Sequence, residues 1–154
     1  MIDNFILDVD GVMTDGKIYF GKSGKIFKVF GAHDHDGLTM IKDYCNIEFV
    51  TADSAGEKIS RSRIVDHMGY KLTTVSAKDR LQWLKNNFNL TKTAYMGDGI
   101  FDAEIFPHVA VSIAPQNARL EAKSNATYIT PNASAEGAVL DACLFLLKRI
   151  KNAI

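Results

Sequence analysis

An excess of charge of one sign is missing from this chain: 18 lysines and arginines stand against 18 aspartates and glutamates in 154 residues. Without a basic field, nothing steers the protein toward nucleic-acid phosphates or an anionic membrane surface, and neither partner is expected. Cysteine is scarce. Cys45 and Cys143 are the two present, both inside apolar helix-like segments, which points to buried reduced thiols rather than a disulfide framework or zinc site. No apolar run approaches the roughly 20 residues needed to span a bilayer. Asp3 and Asn4 stand within the first four residues, a poor start for a secretory signal, so the expected location is the cytoplasm. Linkers, repeats and low-complexity tracts are also lacking. The expectation is one domain over residues 1–154, with hydrophobic residues at 47% supplying one core.

What is present is alternation. Phe5–Val9, Ile47–Val50, Leu72–Val75, Thr93–Met96 and Val109–Ile113 read as strands, with a weaker one at Tyr128 and Ile129. Helical spacing appears from Leu38 to Tyr44, Ile59 to Met68, Leu81 to Phe88 and Val139 to Ile150. Strands alternating with helices imply right-handed crossovers and a parallel sheet covered on both faces, a three-layer α/β domain. Residues 17–30 break the rhythm: two β-rich arms flank Gly21-Lys22-Ser23-Gly24, predicting a β-hairpin inserted after the first strand. Ile18, Phe20, Ile26 and Phe30 give this ribbon more apolar surface than an isolated hairpin can leave in water, so another subunit is a plausible cover.

Gly16 to Ser23 also matches the phosphate-loop pattern G-x-x-x-x-G-K-S. That chemistry requires a loop leading into a helix whose N-terminus meets phosphate. Here strand formers fill the middle and Gly24 with a second strand follows, so Lys22 and Ser23 are assigned to a hairpin tip.

Ligands of an open parallel sheet bind beyond the carboxyl ends of its strands. The first strand ends in Asp8-Val9-Asp10-Gly11, the second in Thr51-Ala52-Asp53, and a later one in Gly97-Asp98-Gly99 with Asp102 just beyond. Any one of these serves as a turn or helix cap. Three together bring like charges to one rim, which a Mg²⁺ ion with its preference for hard oxygen ligands would hold. Lys78, read as the first turn of a helix, would meet phosphate from the other side. Asp8 is placed as a nucleophile able to form an aspartyl phosphate, and Asp10 as the acid and base for leaving group and water. Gly11 and Gly99 allow close backbone approach.

Asp8 to Gly16, reading D-V-D-G-V-M-T-D-G, resembles motif one of the haloacid-dehalogenase superfamily and the extension typical of its capless branch. That branch contains 3-deoxy-D-manno-octulosonate 8-phosphate phosphatases and nonulosonate 9-phosphate phosphatases. Thr51 resembles motif two, Lys78 motif three and Gly97 to Asp102 motif four, with Arg80 an alternative to Lys78. The resemblance implies a Rossmann-like fold without a cap domain and a Mg²⁺-dependent sugar-phosphate phosphatase of an envelope lipopolysaccharide pathway. Asp8 would be nucleophile and metal ligand, and Asp10 acid/base with its carbonyl on the metal. Asp98 would be a ligand supported by Asp102, and Thr51 and Lys78 would hold phosphate. It also implies a homotetramer built through the hairpin, with neighbouring subunits closing the site.

The chain departs from the octulosonate phosphatases where their arginines greet an acidic sugar. Asp53 stands two residues after Thr51, and Ser134 to Asp141 lacks the usual C-terminal arginine. A neutral sugar phosphate is therefore an alternative substrate, and a non-catalytic assembly module of the cytidylyltransferase-associated kind an alternative role. A receiver domain is excluded, because its acceptor aspartate follows a middle strand, where Thr51 stands here. The run His33-Asp34-His35-Asp36 alternates metal-ligand types, but alternate loop residues rarely converge on one ion. Asp36 is read as the N-cap of a helix opening at Leu38. By resemblance the segment lies at the substrate entrance, making Asp34 and His35 candidate sugar contacts. His67 and His108 receive no role.

Overall fold

The structure, a computed structural model, describes residues 1–152. Six parallel strands form one sheet: β1 (Asn4–Asp8), β4 (Asn46–Thr51), β5 (Lys71–Thr74), β6 (Thr93–Met96), β7 (Val111–Ala114) and β8 (Tyr128–Ile129). Their order is β5-β4-β1-β6-β7-β8. β1 is central and pairs with β4 on one side, Asp8 opposite Val50, and with β6 on the other, Leu7 opposite Met96. Both of its faces are covered, which explains its uninterrupted apolar run. Phe5 and Leu7 pack with the helices α1 (His33–Ile41) and α6 (Ala138–Lys151) through Leu38, Ile41, Val139, Ala142 and Leu146. Ile6 points the opposite way, joining Val50 and Tyr95 against α3 (Arg80–Asn87) and α4 (Ile100–Ile105) through Leu84 and Ile105. The α/β sandwich with an inserted hairpin is as expected.

The connections leave β1 toward β4 and leave β6 toward β7, so the strand order reverses between β1 and β6. That reversal opens a crevice at the carboxyl ends of these two strands. Asp8 and Asp98 stand at it.

Several expected boundaries shift. The strand predicted from Val109 begins at Val111, because Phe106–His108 forms a 3-10 turn and the Ala110 amide bonds instead to the Leu90 and Thr93 carbonyls. The helix predicted around Ile59 to Met68 is α2 (Glu57–Arg61) continued by a π-helical stretch, Ser62–His67. Two short helices, α4 and α5 (Leu120–Asn125), were not legible from spacing. α1 opens at His33 after Ala32, not at Leu38, so Asp36 lies inside its first turn and is not its N-cap. Tertiary contact overrides the helix-breaking tendency of Gly37: a Cβ there would lie 2.7 Å from the Leu140 Cα, so glycine lets α1 and α6 touch at backbone distance.

The hairpin consists of β2 (Tyr19–Gly21) and β3 (Gly24–Phe27), with Lys22 and Ser23 forming the tip as read, and a Thr14–Phe30 bridge closing its base. Tyr19, Phe20, Ile26 and Phe27 are all exposed, Phe20 to 73%. No helix among the described residues is long and apolar enough to cross a membrane.

Candidate active site

The strand ends build the site in two linked parts. Asp8 ends β1, where its Oδ1 accepts the Val9 amide at 2.7 Å. Its Oδ2 lies 3.1 Å from Nη1 of Arg80, which also reaches Oδ1 of Asp102 at 3.0 Å. Asp102 organises this corner. Its Oδ1 accepts the Tyr95 hydroxyl at 2.6 Å, and its Oδ2 accepts the amides of Asp98 at 3.1 Å and Gly99 at 2.9 Å. The motif-four aspartate therefore shapes the loop that carries Asp98. Gly97 is required beside it, since a Cβ would lie 2.3 Å from the Asp102 Cγ. Carboxylate oxygens of Asp8, Asp98 and Asp102 come within 4.8 Å of one another.

Electrostatics follow from this crowding. Burial, then the neighbouring Asp102 and Asp10, pushes the Asp98 carboxyl up to about 7. Burial also raises Asp8, against the pull of Arg80 and with Asp102 and Asp98 adding to the rise. Burial works against the Arg80 charge, yet Tyr95, Asp8 and Asp102 hold it firmly protonated. Three close carboxylates facing one guanidinium are short of positive charge, and their hard oxygens suit a divalent cation. The fit holds.

The sequence placed Lys78 in a helix; the structure corrects this. Ser76 and Asp79 form a turn, with the Ser76 hydroxyl 2.6 Å from Asp79 Oδ2. α3 starts only at Arg80, so Lys78 is exposed on the turn while Arg80 is buried against Asp8. Thr51 is buried at the end of β4, one residue past the strand partner of Asp8, and its Oγ1 accepts the Asp53 amide at 3.1 Å. Gly11 adopts φ +81, and a Cβ on it would lie 2.1 Å from Asp98 Oδ2. Gly99 precedes α4 as its N-cap.

The histidine segment divides. Asp34 is fully buried, and its Oδ1 accepts the amides of Val139 at 3.0 Å and Leu140 at 3.4 Å. It caps the start of α6, which corrects its reading as an open sugar contact. His35 is half-buried in the first turn of α1. His33 is exposed.

The second part of the site went unread in the sequence. Lys28, just past β3, sends its ammonium to Asp10 Oδ1 at 2.9 Å and to Asp53 Oδ2 at 2.9 Å. Lys25 also pairs with Asp53. Burial opposes ionisation of Asp53, but hydrogen bonds from Lys25, Lys28 and the Gly56 amide bring it down to about 2. The one available signal was a lysine two residues from both Ile26 and Phe30, in the register read as apolar.

The sequence matches the haloacid dehalogenase-like hydrolase family over residues 20–142. It is 30% identical over 148 residues to the 3-deoxy-D-manno-octulosonate 8-phosphate phosphatase of Salmonella typhi, covering 92% of this chain and 77% of that protein. The Haemophilus influenzae phosphatase of the same name is 30% identical over 141 residues, 86% of this chain and 76% of the relative. Among solved structures, that enzyme from Moraxella catarrhalis, in complex with magnesium, phosphate and its sugar, superposes with a TM-score of 0.84 at 26% identity, covering 98% and 88% of the two chains. The cobalt-bound Haemophilus influenzae structure, at 24% identity and a TM-score of 0.85 over 97% and 90%, shares the fold. The chain belongs to the haloacid dehalogenase-like hydrolase family and is a phosphoric monoester hydrolase resembling the 3-deoxy-D-manno-octulosonate 8-phosphate phosphatases.

Proposed function

We propose that the protein is a magnesium-dependent phosphatase that hydrolyses a keto-acid sugar phosphate, such as an octulosonate 8-phosphate or a nonulosonate 9-phosphate, through an aspartyl phosphate on Asp8. The observation that carries this is Asp8 itself: one oxygen lies 3.1 Å from Arg80, and Asp98 and Asp102 stand within reach of a shared cation. Asp8, Asp98 and the Asp10 carbonyl would hold Mg²⁺, which supplies charge neutralisation for the transferring phosphoryl group.

The chain's own groups account for the remaining chemistry. An Asp8 carboxylate oxygen attacks phosphorus while the ester oxygen departs with the bonding electrons, taking a proton from Asp10. Asp10 then takes a proton from the water that attacks the aspartyl phosphate. Phosphate leaves, and Asp8 returns to a carboxylate. Arg80 and Thr51 hold the phosphoryl oxygens. Because Arg80 is a fixed planar donor, its fork suits phosphate better than a flexible exposed lysine would. Asp102 keeps the Asp98 loop and Arg80 in register.

The assembly proposed is a homotetramer through the hairpin, supported by the exposure of Tyr19, Phe20, Ile26 and Phe27 on one small ribbon. One domain over residues 1–154 and a cytoplasmic setting complete the reading. A neutral sugar phosphate is a second reading, favoured by one observation: two residues after Thr51 the chain carries Asp53, a carboxylate that pairs with Lys25 and Lys28 and so takes up the cations an acidic sugar would need there.

Phosphate release from a panel of acidic and neutral sugar phosphates with Mg²⁺ tests both. Turnover of keto-acid sugars that vanishes in Asp8→Asn supports the proposal. Turnover of neutral sugars alone moves the substrate class, and silence from folded protein leaves the assembly-module role.

A further inference from the structure

A buried charge network on the hairpin side of Asp10 has no part in the scheme above. The Lys28 side chain has no exposed surface. Its ammonium lies 2.9 Å from Oδ1 and 3.0 Å from Oδ2 of Asp10, 2.9 Å from Asp53 Oδ2 and 3.0 Å from the Ser60 hydroxyl. Room for it is built in. A Cβ on Gly56 would lie 2.9 Å from the Lys28 Cε and 2.2 Å from Asp53 Oδ2, so glycine there admits both the lysine stem and its partner.

Burying an ammonium is costly unless it is paired, and Asp53 with Ser60 already pairs this one. Contact with both oxygens of Asp10 adds something else. It constrains the rotation of a carboxylate that is otherwise only loosely held, by Thr14 Oγ1 at 3.5 Å. We infer that Lys28 is a positioning residue: from the hairpin it fixes the Asp10 carboxylate for the water-activating half of the reaction. This rests on the aspartyl-phosphate reading of Asp8. It gives the hairpin a catalytic task besides any role in assembly, because movement of the ribbon moves Lys28, and Lys28 moves Asp10.

The two half-reactions can be separated with p-nitrophenyl phosphate. Nitrophenolate leaves with its electron pair and needs no proton, so transfer of the phosphoryl group to Asp8 does not depend on Asp10. Attack of water on the aspartyl phosphate does, since that water's proton passes to Asp10 as the Asp8–phosphate bond breaks. In rapid-mixing experiments, Lys28→Met is expected to keep a burst near one nitrophenolate per site. Its steady rate is expected to fall by about 100-fold, the scale of a misplaced general base. Lys28→Gln, which retains a neutral donor but loses the charge and the contact with both oxygens, serves if the apolar variant does not fold: the burst is expected to stay and the steady rate to fall by about 10-fold.

Burst rate and steady rate falling together, or both unchanged, overturns the positioning role and leaves Lys28 as a strut of the fold. Nitrophenolate turnover persisting in Asp8→Asn sinks the aspartyl-phosphate scheme instead, and this assignment with it.

Discussion

A Cβ on Gly11 would lie 2.1 Å from Oδ2 of Asp98, so the turn after β1 and the loop after β6 are fitted together at backbone distance. Gly11 also holds φ +81, a left-handed conformation costing other residues about 1–2 kcal/mol. Gly11→Ala is expected to displace the Asp98 carboxylate and weaken cation binding at least tenfold, on the order of 1.4 kcal/mol. A magnesium titration of turnover checks this; an unchanged half-saturation point argues that the two segments do not share a cation.

Arg80 and Lys78 are separated by two residues and by burial. Arg80→Ala leaves Asp8 and Asp102 without their cation and removes a donor to the phosphoryl group. Turnover is expected to fall about 100-fold or more, the scale of losing one preorganised donor. Lys78→Ala is expected to stay within about twofold, as for an exposed side chain away from the reacting groups. Parallel kinetics of the two variants decide the matter, and a severe Lys78→Ala defect would restore the lysine to the site.

The raised Asp98 carboxyl couples stability to pH. Its folded value of about 7 lies above the ordinary carboxylate value, so the folded protein retains a proton that the unfolded chain releases. Stability contributed this way is present at low pH and is lost as pH rises from about 4 through 7. Asp8 is displaced in the same direction. Without metal, the melting temperature is expected to fall between pH 5 and pH 8. Mg²⁺ should raise it more at pH 8, where it need not displace protons. Equal magnesium shifts at both pH values would place the cation elsewhere.

Phe20 and Ile26 lie on the exposed ribbon. Replacing either with Asp puts a charge into the proposed interface, and sedimentation is expected to show smaller species with the fold retained. An unchanged mass would remove the hairpin from the assembly.

Asp34→Ala removes the acceptor for the first amides of α6. A loss of about 1 kcal/mol is expected from an urea midpoint, as for other helix caps. No loss would mean those amides find other partners.

The sheet was legible because its signals are local. Phe5–Leu7 and Ala94–Met96 are continuous apolar runs with turn residues after them, and a strand buried on both faces requires such a run. Asp8, Asp10 and Asp98 could be placed for the same reason: the parallel arrangement sends every strand end to one rim. Lys78 was misread because the Ser76–Asp79 turn sets the helix start two residues later, and only the resulting orientation brings Arg80 to Asp8. Asp36 resembled a cap by its neighbours alone. The close crossing at Gly37 involves Leu140, over 100 residues away, and leaves no local mark.

By itself the sequence determined the alternation, the strand ends and the residue types at them, since these depend on short-range periodicity and backbone preference. Tertiary structure decided which charges meet. Lys28 reaches Asp10, Asp34 caps α6 and Arg80 bridges Asp8 and Asp102 because packing brings together segments that chain order keeps apart. A charged group in a buried place is stable only with its partner, and that pairing is a property of the folded whole.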